Sequence, residues 1–239
     1  ENLGFAGGYN KALKQIDSEY LVLINSDIEV TEGWLSPVIN LMDSDKNISA
    51  CQPKLLDYNN RSKFEYAGAS GGFIDNLGYP FCRGRIFDDL EQDKGQYNNA
   101  IEVFWATGAC ICLRTDAFWE VGGFDEDYFM YGEDIDLSYK LTKAGYRNYY
   151  LGTTNILHYK GESTKKDKAY FDRFYGAMFI FYQKHFRTNI GFNTLVKMGV
   201  FLTKKIKKSS TIREDKINKI QKTYLLSKNL KLAEILSEK

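Results

Sequence analysis

The 239-residue chain is poor in proline and histidine, and its few cysteines follow no recurring spacing. Three prolines (Pro37, Pro53, Pro80) exclude a Pro-rich linker. Four cysteines (Cys51, Cys82, Cys110, Cys112) lack C-x-x-C spacing, which speaks against a zinc site and against a disulfide scaffold. Unpaired thiols fit a reducing compartment. The longest apolar stretch, Ile190–Thr203, carries Lys197 and is too short to span a bilayer. The Lys-Ser/Thr of a P-loop, the G-x-G-x-x-G spacing, internal repeats and low-complexity blocks are all missing. No signal peptide opens the chain. Glu1-Asn2-Leu3-Gly4 resembles the interior of a domain, so the expectation is a fragment that starts after the beginning of its fold.

What is present is apolar enough to fold. With 44% hydrophobic and 26% charged residues, a disordered tail is excluded as the main state. The length suits one large domain, or one domain with a helical appendage. The 17 Tyr, 16 Phe and 3 Trp suit a ring-binding cleft and suit a packed core equally well. A net charge of +1 hides an asymmetry. Residues 160–239 hold 19 Lys and Arg against 7 Asp and Glu, leaving 13 against 24 in residues 1–159. An acidic body implies a cationic site, and a basic tail implies an anionic partner.

The hydrophobic pattern predicts a helix over Gly7–Ile16, then a strand at Tyr20–Ile24. That unbroken apolar run fits a strand buried on both faces, as in a parallel sheet. It ends at Asn25-Ser26-Asp27, where α/β sheets place ligands. Trp34, Leu35, Val38, Ile39 and Met42 recur at helical spacing, and Ile48–Pro53 reads as a short strand. Lys63–Asn99 is irregular and glycine-punctuated, which marks a functional or mobile insert. Strands are expected at Ile101–Trp105, Ala109–Leu113, Asn148–Leu151 and Asn155–His158. A helix is expected from Asp134 to Ala144, stopped by Gly145. After Lys166 the pattern is helical to the end. The fold class is therefore α/β with a C-terminal helical extension.

Several residues could carry chemistry. Asp27, at the carboxyl end of a strand, can hold a divalent cation, and Asn25 points to the same side with a neutral oxygen. The same residues would serve as a helix or turn cap. Glu133-Asp134 opens a helix, whose dipole alone could explain the pair, yet one of them could act as a general base. Adjacent aromatics would raise its pKa by desolvation. Asp136 faces away from Asp134. His158 ends a strand before a polar glycine loop and is either a ligand or structural. His185 sits among charged residues and reads as a surface residue. Gly4–Asn10 resembles a phosphate-cradling loop before a helix.

The ordered set resembles the inverting family 2 of glycosyltransferases, in its rhamnosyltransferase-like branch. The matching runs are Asn2–Asn10, Leu23–Asp27, Thr107-Gly108-Ala109, Gly122–Glu126 with Phe129, Gly132–Leu137, and His158–Ser163. The resemblance implies a GT-A (Rossmann-like) mixed sheet flanked by helices and lacking its first βαβ unit. It places the catalytic domain at 1–163 and a basic helical extension at 164–239. It also implies a nucleotide-sugar donor, Mg²⁺ or Mn²⁺, and a glycan or lipid-linked acceptor in surface polysaccharide synthesis. Asp27 matches the last Asp of the family's D-x-D motif, and Asn25 stands where many members have the first. Asp134 matches the catalytic base, beside Glu133, and His158 a histidine that completes the metal or diphosphate site. Asn2, Gly4, Phe5, Asn10, Asn25 and Ser26 are expected on the donor side, and Trp105, Thr107, Gly108 and Tyr131 on the sugar. Without the family's first strand and helix, this chain is expected to bind donor poorly. The tail, over residues 176–208, is expected to dock on anionic lipid at the cytoplasmic face of the plasma membrane. No nucleic acid is expected. The rivals are a non-catalytic GT-A-like module that binds sugar or a partner, and a nucleotidyltransferase that would release pyrophosphate.

Overall fold

The computed structural model describes residues 2–66, 69–75, 79–86, 89–159 and 168–186. They lie within the compact unit that spans residues 1–197. Ile190–Thr203 and most of the expected lipid-docking segment lie outside the described residues.

The body is a mixed sheet between helical layers. Its elements run α1 (Gly4–Leu13), β1 (Tyr20–Ile24), β2 (Ile28–Val30), α2 (Leu35–Ser44), β3 (Ile48–Asp57), β4 (Gly72–Ile74), β5 (Pro80–Cys82), β6 (Arg85–Ile86), β7 (Asp89–Leu90), β8 (Ala100–Val103), β9 (Cys110–Arg114), α3 (Thr115–Glu120), α4 (Glu133–Lys143), β10 (Arg147–His158) and α5 (Lys168–His185). The strand order is β1-β9-β3-β10-β2, with β8 also paired to β10. β3 and β10 are parallel, and the other pairs of this sheet are antiparallel.

β1 departs from its expected burial. It pairs β9 antiparallel at the end of the strand order, so Leu21 and Leu23 face the core while Val22 stays 37% exposed. Alternation on a half-covered strand replaces two-sided burial. The strand buried on both faces is β3, whose residues Ile48–Leu56 are all buried. It runs past Pro53, where the sequence pattern ends it.

Pro53 also explains the most visible irregularity. Proline offers no N–H to a ladder and is tolerated in sheet interiors only at bulges. Opposite it, β10 shifts register between Leu151 and Asn155. The two short strands expected at Asn148–Leu151 and Asn155–His158 are thus one bulged strand, broken in pattern but not in pairing. At the bulge a Cβ on Gly152 would lie 1.9 Å from the Tyr97 carbonyl, so only glycine admits the insert there.

Side-chain alternation along β9 divides the core. Ile111 and Leu113 join Leu21, Leu23, Phe118, Leu137 and Leu141 beneath α1, α3 and α4. Cys112 joins Val38, Met42 and Cys51 beneath α2. The four cysteines are buried, and burial pushes the Cys110 and Cys112 thiols up to about 12. The insert contributes a further cluster of Leu56, Phe64, Ala69, Cys82, Trp105 and Leu157.

Candidate active site

The carboxyl end of β1, the start of α1 and the residue after β10 border an open cleft of about 790 Å³. Phe5, Tyr9, Ile24, Asn25, Ser26, Asp27 and Tyr159 line it. Asn25, Ser26 and Asp27 leave β1 as a turn that leads directly into β2. The Asn25 N–H donates to the Ala109 carbonyl (2.9 Å), and the Tyr159 N–H donates to the Asp27 carbonyl (2.8 Å). Backbone bonds therefore fix this turn on both sides, leaving its side chains for the cleft.

His158 ends β10 beside Asp27. Its Nε2 lies 3.2 Å from Asp27 Oδ1, and its Nδ1 lies 3.3 Å from Glu65 Oε2. Burial lowers the imidazole pKa, but the two carboxylates outweigh it, so the net direction is up. Neither buried ring nitrogen has an aligned hydrogen bond among the described residues. Glu65 was not anticipated. It sits in the irregular insert, and its proximity to His158 arises from strand pairing that no sequence period records.

Asp134 opens α4 from the other side. Its Oδ2 accepts from the Gly108 N–H (2.9 Å) and its Oδ1 from the Ile135 N–H (2.9 Å). Burial raises the carboxyl pKa, and those two N–H donors oppose the rise without cancelling it. Glu133 is 7% exposed, and burial with the neighbouring Asp134 carboxylate pushes it up to about 8. The turn before them is strained: Tyr131 (φ 74°) and Gly132 (φ 84°) both adopt left-handed backbone. Such a conformation in a non-glycine residue concentrates at functional sites.

The remaining predicted residues separate into cleft, hinge and core. The Asn2 side chain accepts from the Gly4 N–H (3.0 Å), shaping the entry to α1. Gly4 (φ 67°) is required because a Cβ there would lie 2.4 Å from the Phe129 carbonyl. Phe5 lines the cleft and lies 3.6 Å from the position of a Cβ on Gly108. Asn10 is buried, and its amide bonds Phe124 at both ends, accepting from its N–H (3.0 Å) and donating to its carbonyl (2.8 Å). It clamps the Gly122–Glu126 loop. The Thr107 N–H donates to the buried Gln52 side chain (2.9 Å), and its hydroxyl accepts from the Ala109 N–H (3.2 Å), so it orders the loop that presents Gly108. Trp105 packs in the insert core with its indole N–H on the Phe73 carbonyl (2.9 Å). Tyr131 lines a small apolar cavity against α5 rather than the open cleft.

One reading changes. His185 is not a surface residue: it is half-buried on α5 with Nε2 2.6 Å from Asp136 Oδ1. Asp136 does face away from Asp134, and it is fully buried, with the Tyr128 hydroxyl donating to it (3.3 Å) and Lys140 at 3.4 Å.

The oxygen-and-nitrogen set of Asp27 and His158 fits Mg²⁺ or Mn²⁺, ions that complete their shell with water and substrate phosphate. The unaligned ring nitrogens of His158 are consistent with a missing partner. Among the described residues, no group of three or more His, Cys, Asp or Glu side chains could hold a metal unaided.

Over 184 residues the chain is 28% identical to N-acetylglucosaminyl-diphospho-decaprenol L-rhamnosyltransferase of Mycobacterium tuberculosis, covering 70% of this chain and 59% of that protein. It is 28% identical over 143 residues to rhamnosyltransferase WbbL of Escherichia coli, covering 60% of this chain and 53% of that one. The chain thus spans little more than half the length of these relatives. In fold it matches the GT-A enzymes. A crystal structure of GalNAc-T7 with UDP, GalNAc and Mn²⁺ superposes with a TM-score of 0.56 at 14% identity, over 75% of this chain and 34% of that one. Residues 1–122 match the profile of glycosyl transferase family 2, so the chain belongs to that family.

Proposed function

We propose that this chain is the acceptor-activating and diphosphate-binding part of an inverting glycosyltransferase. It moves a sugar from a nucleotide-sugar donor to a hydroxyl of a glycan or lipid-linked acceptor in cell-surface polysaccharide synthesis. Rhamnose is the proposed sugar, on the strength of the two rhamnosyltransferases. The carrying observation is one chain of contacts: His158 beside Asp27, Asn25 bonded to Ala109, and Gly108 bonded to Asp134. These contacts link three motifs far apart in sequence, one of which, Asn25–Asp27, lines the cleft.

Asp134 is the proposed base. Backbone N–H groups orient its carboxylate, and burial keeps its proton affinity above that of an ordinary aspartate. It takes the proton of the acceptor hydroxyl as that oxygen attacks the anomeric carbon. The bond to the nucleoside diphosphate breaks on the opposite face, and a single displacement inverts the centre. Asp27 and His158 would hold Mg²⁺ or Mn²⁺, which neutralises charge on the departing diphosphate. Phe5 and Tyr9, 4.5 Å apart, form the apolar wall of the donor side. The basic tail is proposed to meet anionic lipid on the cytoplasmic membrane face. Among the described residues no helix is long and apolar enough to cross a membrane.

The experiment is Asp134→Asn in a transfer assay with nucleotide-sugar donor. Turnover should fall roughly 10²–10⁴-fold, the usual share of a general base, with donor binding unchanged. Near-normal turnover would remove Asp134 from this role.

A further inference from the structure

Deepening that reading, on which it rests, we infer that Gln52 is a positioning residue for the proposed base. Acting through Thr107, it fixes the loop whose Gly108 N–H orients the Asp134 carboxylate.

Gln52 is a polar side chain on an apolar face. Successive residues of β3 alternate sides, so Cys51 packs beneath α2 while Ala50 joins the core beneath α1, α3 and α4. Gln52, two residues after Ala50, falls on that second side and is fully buried. Burying an amide is unfavourable unless its polar atoms find partners. Its Oε1 accepts from the Thr107 N–H (2.9 Å).

That acceptor serves a segment with no ladder of its own. Residues 106–109 lie between β8 and β9, and all four are buried. A buried N–H needs an acceptor, and here each of the four uses a side chain. Ala106 donates to the Ser138 hydroxyl (3.2 Å), Thr107 to Gln52, Gly108 to Asp134 Oδ2 (2.9 Å) and Ala109 to the Thr107 hydroxyl (3.2 Å). Ser138 and Asp134 belong to α4, and Thr107 belongs to the loop itself. Of these acceptors only Gln52 belongs to the sheet. It therefore fixes the loop against β3, while the other bonds let loop and helix shift together. Without Gln52 the Thr107 N–H is a buried orphan, and the backbone must turn to satisfy it. Gly108, with no Cβ, turns most readily and takes its N–H away from Asp134. The Ile135 N–H alone then holds the carboxylate.

The test uses the whole chain and two substitutions. Gln52→Met keeps the side-chain length and removes the acceptor. Gln52→Asn keeps the amide but falls one methylene short of Thr107, and it decides if Gln52→Met does not fold. With ¹³C labelling, the Asp134 carboxyl signal is assigned by its loss in Asp134→Asn. The Gly108 N–H opposes the burial that raises the Asp134 pKa, and Glu133 is the carboxyl that titrates beside it. Losing that donor should move the Asp134 titration to higher pH in both variants. Turnover should fall roughly 10–100-fold with donor KM unchanged, and the acid limb of the pH–rate profile should move up with the titration. Met42→Ala, in the core beneath α2, is the control. It destabilises the fold and should leave the Asp134 titration in place. An unmoved titration in a folded Gln52 variant overturns the inference. So does an equal shift in Met42→Ala, because Gln52 would then act through stability alone. Asp134→Asn separates the two levels. Near-normal turnover there sinks the base, and with it what Gln52 serves. Lost turnover there beside normal turnover in Gln52→Met sinks only the role of Gln52.

Discussion

Helix α4 carries two aspartates two residues apart, on faces with opposite surroundings. Asp134 turns toward Gly108, where among the described residues its partners are two backbone N–H groups and no cation. Asp136 turns toward α5 and is fully buried among His185, Lys140 and the Tyr128 hydroxyl. The difference separates reactivity from cohesion. A half-buried carboxylate held by neutral donors keeps a raised proton affinity and can exchange a proton. One enclosed by Lys140, His185 and a hydroxyl is committed to packing, and it ties α5 to the body.

The sharpest way to break this comparison is stability. Asp136→Ala leaves His185 and Lys140 facing an uncompensated hollow. It should lower the unfolding free energy by about 3 kcal/mol, the lower end for one lost partner of a buried pair. Asp134→Asn keeps the shape but turns one of the two accepting oxygens into a donor, so it should cost about 1 kcal/mol, less than Asp136→Ala. Urea unfolding of both variants reads the contrast directly. Equal losses would mean that the two faces of α4 do the same structural work.

Glu133 sharpens the comparison through pH. Its folded-state pKa is pushed up to about 8, so between the ordinary carboxylate range and pH 8 the folded state holds a proton that the unfolded chain has released. Stability from this group is therefore complete at low pH and declines as pH rises through that window. Glu133→Gln cannot ionise and should flatten the decline. Its thermal midpoint should exceed that of the unmutated chain at pH 8.5 and match it near pH 4. A variant less stable at pH 8.5 would show that the Glu133 charge is satisfied after all.

How much of this was legible in the sequence depends on which interactions set each feature. α4 was visible because Leu137 and Leu141 fall at helical spacing and the acidic pair marks its start. β1 was visible as an apolar run, yet its edge position was not, since burial follows from which strand pairs with it. The motif residues Asp27, Asp134 and His158 could be named in advance because each closes a recognisable element. Their meeting depends on single long-range bonds such as Gly108 to Asp134, which leave no periodic trace. Glu65, β2 and α3 went unread for the same reason. Asn10 and Trp105 could be read as ligand contacts because polar and aromatic side chains serve binding and packing alike. Only burial and partners separate those uses, and here both are buried, Asn10 on the Phe124 backbone and Trp105 on the Phe73 carbonyl.

The smallest expected effect concerns the second tether of α5. Lys184, the residue before His185, pairs with Asp125 and lies 2.7 Å from Asp127, beside the buried Asp136–His185 contact. Partial burial raises the Asp125 pKa, but the Lys184 ammonium outweighs it and the net direction is down. That contribution is present above the ordinary aspartate pKa and is lost as pH falls through the depressed value. Lys184 keeps 31% of its side-chain surface and Asp127 keeps 71%, so water and salt screen the cluster. Lys184→Ala should therefore cost no more than about 1 kcal/mol at low ionic strength, and the loss should disappear in roughly 1 M salt. The loss from Asp136→Ala should persist in the same salt, because its partners lie where ions do not reach. If both losses vanish together, the buried contact is as exposed as the surface one, and α5 is held by apolar packing on Tyr128 and Tyr139 instead.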